Sequence, residues 1–369
     1  MSDPPRPDAG IPRFDRAFFT GSERFTLIGS GGIGGKAAGL LAARDLVASA
    51  FDHRRFPAID VAIPTLTVIG TDLFDRFVEQ NELERLRTAG DPDHLIAHAF
   101  QRAALPSEIL GDLRALVEQV RRPLAVRSSS LLEDALRHPF AGVYETKMTP
   151  NNQPDADSRF RRLVEAIKFV YASTWFESAR DYLAATAQAP ETEKMAVIIQ
   201  EVAGRRHHDR FYPDVSGVAR SFSYYRSGRT RPEDGVVSLA VGLGKTIVDG
   251  EAAWTYSPRY PRAAPPFGSI DQMFEETQRE FWAVNMGRPP AFDPMKETEY
   301  LVRGSLETAE LDGTLRFTAS THDPAADRLA PGVGRPGARL LTFAPLLVHD
   351  ELPLNDVVRA LLTTCESAA

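Results

Sequence analysis

The run Arg127-Ser128-Ser129-Ser130-Leu131-Leu132-Glu133-Asp134 follows the apolar stretch Pro123-Leu124-Ala125-Val126 and leads into Phe140-Ala141-Gly142-Val143-Tyr144-Glu145-Thr146. A strand that ends on an arginine and three hydroxyls, then two carboxylates and a glycine, gathers a cation, hydrogen-bond donors and acids at one sheet edge. Such a set suits phosphate. The guanidinium fork matches phosphate oxygens, and hydroxyls and loop N–H groups add neutral donors around the same anion. The competing reading is an exposed Ser-rich turn beside a surface arginine, in which Glu133 and Asp134 cap the turn instead of touching a metal.

A second anion-type segment lies upstream. Gly29-Ser30-Gly31-Gly32-Ile33-Gly34-Gly35-Lys36 follows the short strand Phe25-Thr26-Leu27-Ile28 and opens a helix from about Lys36 to Ala50, so its N–H groups and the helix dipole can receive an anion. A Walker A loop is excluded, because Ser30 and Ala37 stand where glycine and Ser or Thr are required. Gly244-Lys245-Thr246 fails likewise, with Leu239 in place of the first glycine. Gly29, Gly31 and Gly34 do match a dinucleotide fingerprint. Its acidic ribose partner would have to be Asp45, Asp52 or Asp60.

The 369 residues predict two or three compact units. Residues 1–20, with four prolines, read as a flexible tail; 21–190 as an N-terminal part holding the glycine loop and the Arg127 strand; 191–369 as a C-terminal lobe. Apolar spacing predicts strands at 63–69, 123–129 and 195–202, and helices at 72–80, 92–104, 106–121 and 158–186. Beyond Pro190, strands at 215–225, 236–241, 298–303, 314–320 and 338–344 surround a helix at 270–285, and a last helix runs from Asp356 with Asn355 as its cap. The pattern is α+β, helix-rich first and sheet-rich second.

A net charge of −7 argues against a nucleic-acid binder, which needs a basic face. The single cysteine, Cys365, rules out an internal disulfide framework or a cysteine-rich metal site. No basic segment followed by an apolar one opens the chain, and no apolar run approaches the ~20 residues of a membrane span. The expectation is a cytoplasmic protein. Arg205-Arg206-His207-His208 with Arg210 reads as a basic surface turn.

Several distant blocks occur in one order: Gly34-Gly35-Lys36-Ala37-Ala38-Gly39-Leu40, Val126-Arg127-Ser128-Ser129, Ile199-Gln200-Glu201-Val202, Ser216-Gly217-Val218-Ala219 and Gly242-Leu243-Gly244. Together they resemble the N-terminal ATP-binding domain of phosphoenolpyruvate synthase and pyruvate phosphate dikinase, over residues 25–257. The resemblance implies an ATP-grasp-like fold that holds ATP and Mg²⁺ between two lobes for phosphoryl transfer. It implies that Lys36 and Arg127 hold the triphosphate, since fixed cations offset charge developing on the transferred group. Gly34, Gly35, Ser128, Ser129 and Thr146 would lie near the phosphates, and Gln200, Glu201 and Val202 near the adenine. Gly217 and Gly242 would let backbone approach the nucleotide.

The sequence also departs from that family. Family members place metal-binding acids on a late Asp-x-Glu strand followed by Leu-Gln-x-Arg; neither is found, and Glu297, Glu299 and 314–320 offer no equivalent, so that segment is expected to be missing. Lys245 stands where Gly-Leu-Gly is usually followed by glutamate. None of the eight histidines has a phosphocarrier context. The phosphate acceptor would therefore be another domain or a protein on another chain. The alternatives are a nucleotide-sensing module without turnover and an NAD-binding dehydrogenase built on Gly29, Gly31 and Gly34.

Overall fold

The computed structural model describes residues 10–130, 142–186, 193–225, 228–263, 267–293 and 295–367. They group into two compact units. The first takes the chain up to Arg44, Ile63–Val202 and Val284–Leu301; the second takes Asp45–Ala62, Ala203–Ala283 and the chain from Val302.

The first unit is built from β1 (Phe25–Ile28), the opening turns of α1 (Gly34–Ala50), β2 (Leu66–Ile69), α2 (Thr71–Gln80), α3 (Asp93–Arg102), α4 (Ser107–Gln119), β3 (Leu124–Ser130), β4 (Thr146–Thr149), α5 (Ala156–Ser173), α6 (Glu177–Ala185) and β5 (Met195–Glu201). One sheet runs β1-β2-β5-β3-β4. Only β1 and β2 are parallel, a pairing that needs a crossover, and α1 supplies it. The central β5 is buried at every residue from Met195 to Gln200, so its sequence is a continuous apolar run and not an alternating one. One sheet face carries Leu66, Val68, Ala196 and Ile198 against Ile33 and Ala37 of the α1 start. The other carries Leu124, Val126, Val197 and Ile199 against Phe74, Phe77, Phe100, Leu113, Ile167 and Tyr171 of the helices.

Two expectations change here. Residues 10–20, read as part of a tail, place Ile11 and Phe19 in these cores. The single helix expected over 158–186 is α5 and α6, broken where Phe176 turns extended with ψ at 160°. Trp175 and Phe176 are both buried, Trp175 edge-on to Phe100 at 5.0 Å and Phe176 edge-on to Phe169 at 6.0 Å. A continuous helix would turn adjacent side chains about 100° apart, so the break lets both face the core. The Asp93 carboxylate accepts the freed Glu177 N–H at 2.8 Å.

The second unit contains β6 (Arg205–His207), β7 (Arg210–Tyr212), β8 (Ser216–Arg220), β9 (Val236–Ala240), a single turn α7 (Lys245–Val248), β10 (Trp254–Tyr256), α8 (Ile270–Glu276), β11 (Glu280–Asn285), β12 (Leu301–Ser305), α9 (Leu306–Leu311), β13 (Ala319–Asp323), β14 (Arg328–Pro331), β15 (Arg339–Leu341), α10 (Ala344–Leu347) and α11 (Leu354–Glu366). Its sheets run β10-β9-β8, β12-β11-β7-β6 and β14-β13-β15. Tyr212, Val237, Leu239, Phe281, Leu315 and Phe343 share its core. Helices thus dominate the first half and short strands the second, as the sequence predicts.

The helix expected over 270–285 stops at Glu276, and β11 follows. Phe281 and Ala283 enter the core at a spacing of two, a strand period that overrides the helical reading. Over 314–320 a 3₁₀ turn, Thr314–Phe317, precedes β13. Asn355 does not cap the last helix: it is buried one residue inside α11 and donates to the Pro258 carbonyl at 3.2 Å. The basic run at 205–210 forms the β6–β7 hairpin, where Arg205 pairs with Asp214 and Arg210 with Asp312. Among the described residues no helix is long and apolar enough to cross a membrane.

Candidate functional site

Strand alternation sets the site. Arg127 is the only residue of β3 that is not fully buried, and the register places it directly between Thr146 of β4 and Ile198 of β5. Residues opposite one another share a face, so Arg127 and Thr146, 19 positions apart in sequence, are side-by-side neighbours. Gln200, two positions along β5 from Ile198, lies on that same face and accepts from Arg127 Nη1 at 3.1 Å.

The second cation arrives from α1. Lys36 Nζ donates to Ser128 Oγ at 2.9 Å, which brings the ammonium to the strand position beside Arg127. Ser129 fixes this arrangement. Its hydroxyl accepts from Ala37 N at 3.0 Å and donates to the Ile33 carbonyl at 2.8 Å, so it ties both sides of the helix start to β3. Gly34 makes the approach possible: its φ is +71°, and a Cβ there would sit 1.8 Å from the Ser129 carbonyl oxygen. Only glycine tolerates both demands. The first unit therefore brings together Gly34, Gly35, Lys36, Arg127, Ser128, Ser129, Thr146 and Gln200.

Sequence reasoning missed what holds the glycine loop. Asp72 accepts from Ser30 N at 2.6 Å and from Ser30 Oγ at 2.8 Å, and Thr71 Oγ1 accepts from Gly32 N at 2.9 Å. The cap position of α2 is Gly70, and the Thr71 and Asp72 side chains at its start anchor the loop. The signal was available in the topology: because β1 and β2 are parallel, Ile28 is level with Ile69, and the segments that follow emerge side by side. The N–H groups of Ser30 and Gly32 are thereby engaged within the protein. Of the acids weighed as a dinucleotide partner, Asp45 lies within α1, Asp52 caps the turn His53–Arg55 and Asp60 belongs to the second unit.

At the other end of β5, Glu201 N donates to the Thr65 carbonyl and Val202 N to the Pro123 carbonyl, both at 2.9 Å. Burial pushes the Glu201 carboxyl above its ordinary range, with Arg122 at 3.8 Å pulling the other way. A further buried pair lies in this unit. Lys147 Nζ meets Glu299 at 2.6 Å with both side chains almost wholly enclosed, between the rings of Phe169 and Tyr300. Glu299, weighed as a late metal-binding acid, is thus committed to a lysine. Glu133, Asp134, Phe140 and Ala141 lie outside the described residues.

Gly217, Gly242 and Lys245 belong to the second unit. Gly217 faces Leu239 across β8 and β9. Gly242 has φ +82°, and a Cβ there would lie 2.7 Å from the Trp282 carbonyl oxygen, where Leu243 N donates at 2.9 Å. Lys245 pairs with Asp249 at 3.1 Å. Arg303 pairs with Glu251 at 2.5 Å and with Glu280 at 3.0 Å. Among the described residues no group of three His, Cys, Asp or Glu side chains is placed to hold a metal ion.

The phosphoenolpyruvate synthase of Aeropyrum pernix is 27% identical to this chain over 244 residues, which is 59% of this chain and 26% of the synthase. The prodigiosin synthesizing transferase PigC of Serratia marcescens is 28% identical over 191 residues, 51% of this chain and 19% of the transferase. The chain therefore spans about a quarter or less of the length of these curated relatives. The sequence model of the family described as pyruvate phosphate dikinase, AMP/ATP-binding domain, matches residues 31–285, a span that includes Lys36, Arg127, Gln200, Gly217 and Gly242. The chain belongs to the family of pyruvate phosphate dikinase AMP/ATP-binding domains.

Proposed function

We propose that the chain binds ATP with its triphosphate at the C-terminal end of β3, between Lys36 and Arg127, for phosphoryl transfer to an acceptor on another domain or chain. The observation that carries this reading is the Lys36 to Ser128 hydrogen bond of 2.9 Å, which seats an ammonium on the residue that follows Arg127 in β3. Two cations set in place before the reaction stabilise charge on the transferred phosphoryl group without reorganisation. Thr146 and Ser128 add hydroxyls around the phosphates. Ser129, whose hydroxyl is engaged on both sides, positions the loop. Gln200, Glu201 and Val202 border the adenine; with the N–H groups of Glu201 and Val202 already donated, carbonyl oxygens there receive the exocyclic amine. Gly217 and Gly242, nucleotide contacts by the resemblance, lie in the second unit.

Mg²⁺ is usually held by one or two carboxylates together with substrate phosphates. Glu299, the late acid weighed for this role, is bound to Lys147. Lys245, which stands where the resemblance expects glutamate, favours a second reading, a nucleotide-sensing module that binds ATP without turning it over. The proposal places the protein in the cytoplasm, with ATP and a phospho-acceptor protein as partners.

Calorimetric titration with ATP, with and without Mg²⁺, tests this. Lys36→Ala and Arg127→Ala are each expected to weaken binding by about tenfold or more, ~1.4 kcal/mol. Wild-type affinity in both folded variants refutes the placement. Transfer of the ³²P γ-phosphate to added protein separates the phosphotransferase from the sensor.

A further inference from the structure

The second unit contains a cavity of about 450 Å³, within the size range of small-molecule sites, and it is separate from every residue assigned above. Its walls combine rings, Trp254 and Tyr256 of β10 with Phe267 and Phe343 and, at the rim, Phe222 and Tyr260, with polar side chains that include the oppositely charged Arg220 and Glu276. Phe222 is 43% and Tyr260 40% exposed, so large rings stand in water around the opening. A ring-lined concavity of this kind is uncommon on a surface without a ligand to cover it.

A second observation points the same way. The Trp254 indole N–H and the Tyr256 hydroxyl are both buried and have no hydrogen-bond partner among the described residues. Buried donors of this type nearly always have one, and leaving them unmade is costly. Both belong to residues that line the cavity. The nearby Gln278 shows the contrast, since its amide is fully used on Val241 and Glu280.

We infer that this cavity is a binding site for a neutral, planar aromatic molecule of two or three rings that carries a hydrogen-bond acceptor. The rings supply stacking faces, and the acceptor answers Trp254 and Tyr256. This site does not depend on where ATP binds.

Coumarin, planar with a carbonyl acceptor, is the probe; naphthalene, which lacks the acceptor, is the control. Titration of the full chain by isothermal calorimetry is expected to show saturable coumarin binding with Kd below ~1 mM and naphthalene binding about fivefold weaker or more. Tyr256→Phe removes only an unpartnered hydroxyl, so the fold is retained; it is expected to weaken coumarin by about fivefold or more while leaving naphthalene unchanged. Tyr260→Ala, at the exposed rim, is expected to weaken both by a similar factor. The inference stands only if both substitutions act in this way. Absence of saturable coumarin binding, or coumarin affinity unchanged in either variant, overturns it.

Discussion

Gly34→Ala tests the contact that seats Lys36. The added methyl would lie 1.8 Å from the Ser129 carbonyl oxygen, with the backbone held at φ +71°. A residue with a Cβ loses about 1–2 kcal/mol in the left-handed region. Relieving the overlap requires the loop and β3 to separate by roughly 1 Å or more, since close-packed interiors leave no slack for such a group. That separation breaks the bonds from Ala37 N to Ser129 and from Ser129 to Ile33, now 3.0 and 2.8 Å, at about 0.5–1.5 kcal/mol each. The total is roughly 2–5 kcal/mol, and at about 2–4 °C per kcal/mol for a unit of this size it lowers Tm by roughly 5–20 °C. Lys36 is two residues away, so ATP affinity falls with it. Differential scanning calorimetry and ATP titration read both effects. Gly39→Ala is the control: its Cβ would meet nothing within 4 Å, and in a helix interior it is expected to stabilise by up to ~1 kcal/mol. A Gly34→Ala protein with Tm within about 2 °C of wild type and unchanged ATP affinity would refute the argument.

Lys147→Met leaves Glu299 charged and enclosed, and is expected to destabilise the first unit by about 3–5 kcal/mol in chemical denaturation; adding Glu299→Leu should recover most of that loss. In the second unit, the hydrogen bond from Arg339 holds the Glu310 carboxyl below its ordinary 4.5. Burial raises the Asp312 carboxyl, but hydrogen bonds from Arg210 and Tyr212 outweigh it and hold it below 3.8. Groups with depressed values stabilise the fold above their unfolded pKa and lose that contribution as pH falls through the folded one. Stability from this pair is therefore complete above about pH 5 and declines below about pH 4, and Asp312→Asn is expected to flatten the acid limb of a plot of Tm against pH.

The sequence by itself determined the elements with a local signature and the chemistry they carry. β1, α2, β3 and β5 fall where apolar runs and turn residues place them, and Arg127 and Lys36 were legible as candidates because a strand ending in Arg-Ser-Ser-Ser and a glycine loop are short, contiguous patterns. The ordered motif set gave the family for the same reason. Tertiary structure decided the rest. Whether 270–285 was one helix or a helix and a strand depended on Phe281 and Ala283 finding a core, which no local period reports. The break between α5 and α6 depended on rings from α2 and α3 receiving Trp175 while Phe169 of α5 receives Phe176. Asp72 serves the glycine loop, 42 residues away in sequence, only because β1 and β2 are parallel and level. Lys147 and Glu299 meet across 152 positions because a buried charge requires an opposite one beside it. Sheet register and burial are properties of contacts distant in sequence, so the candidate site residues were readable one by one, while the partners that hold them in place appeared only once the chain was folded.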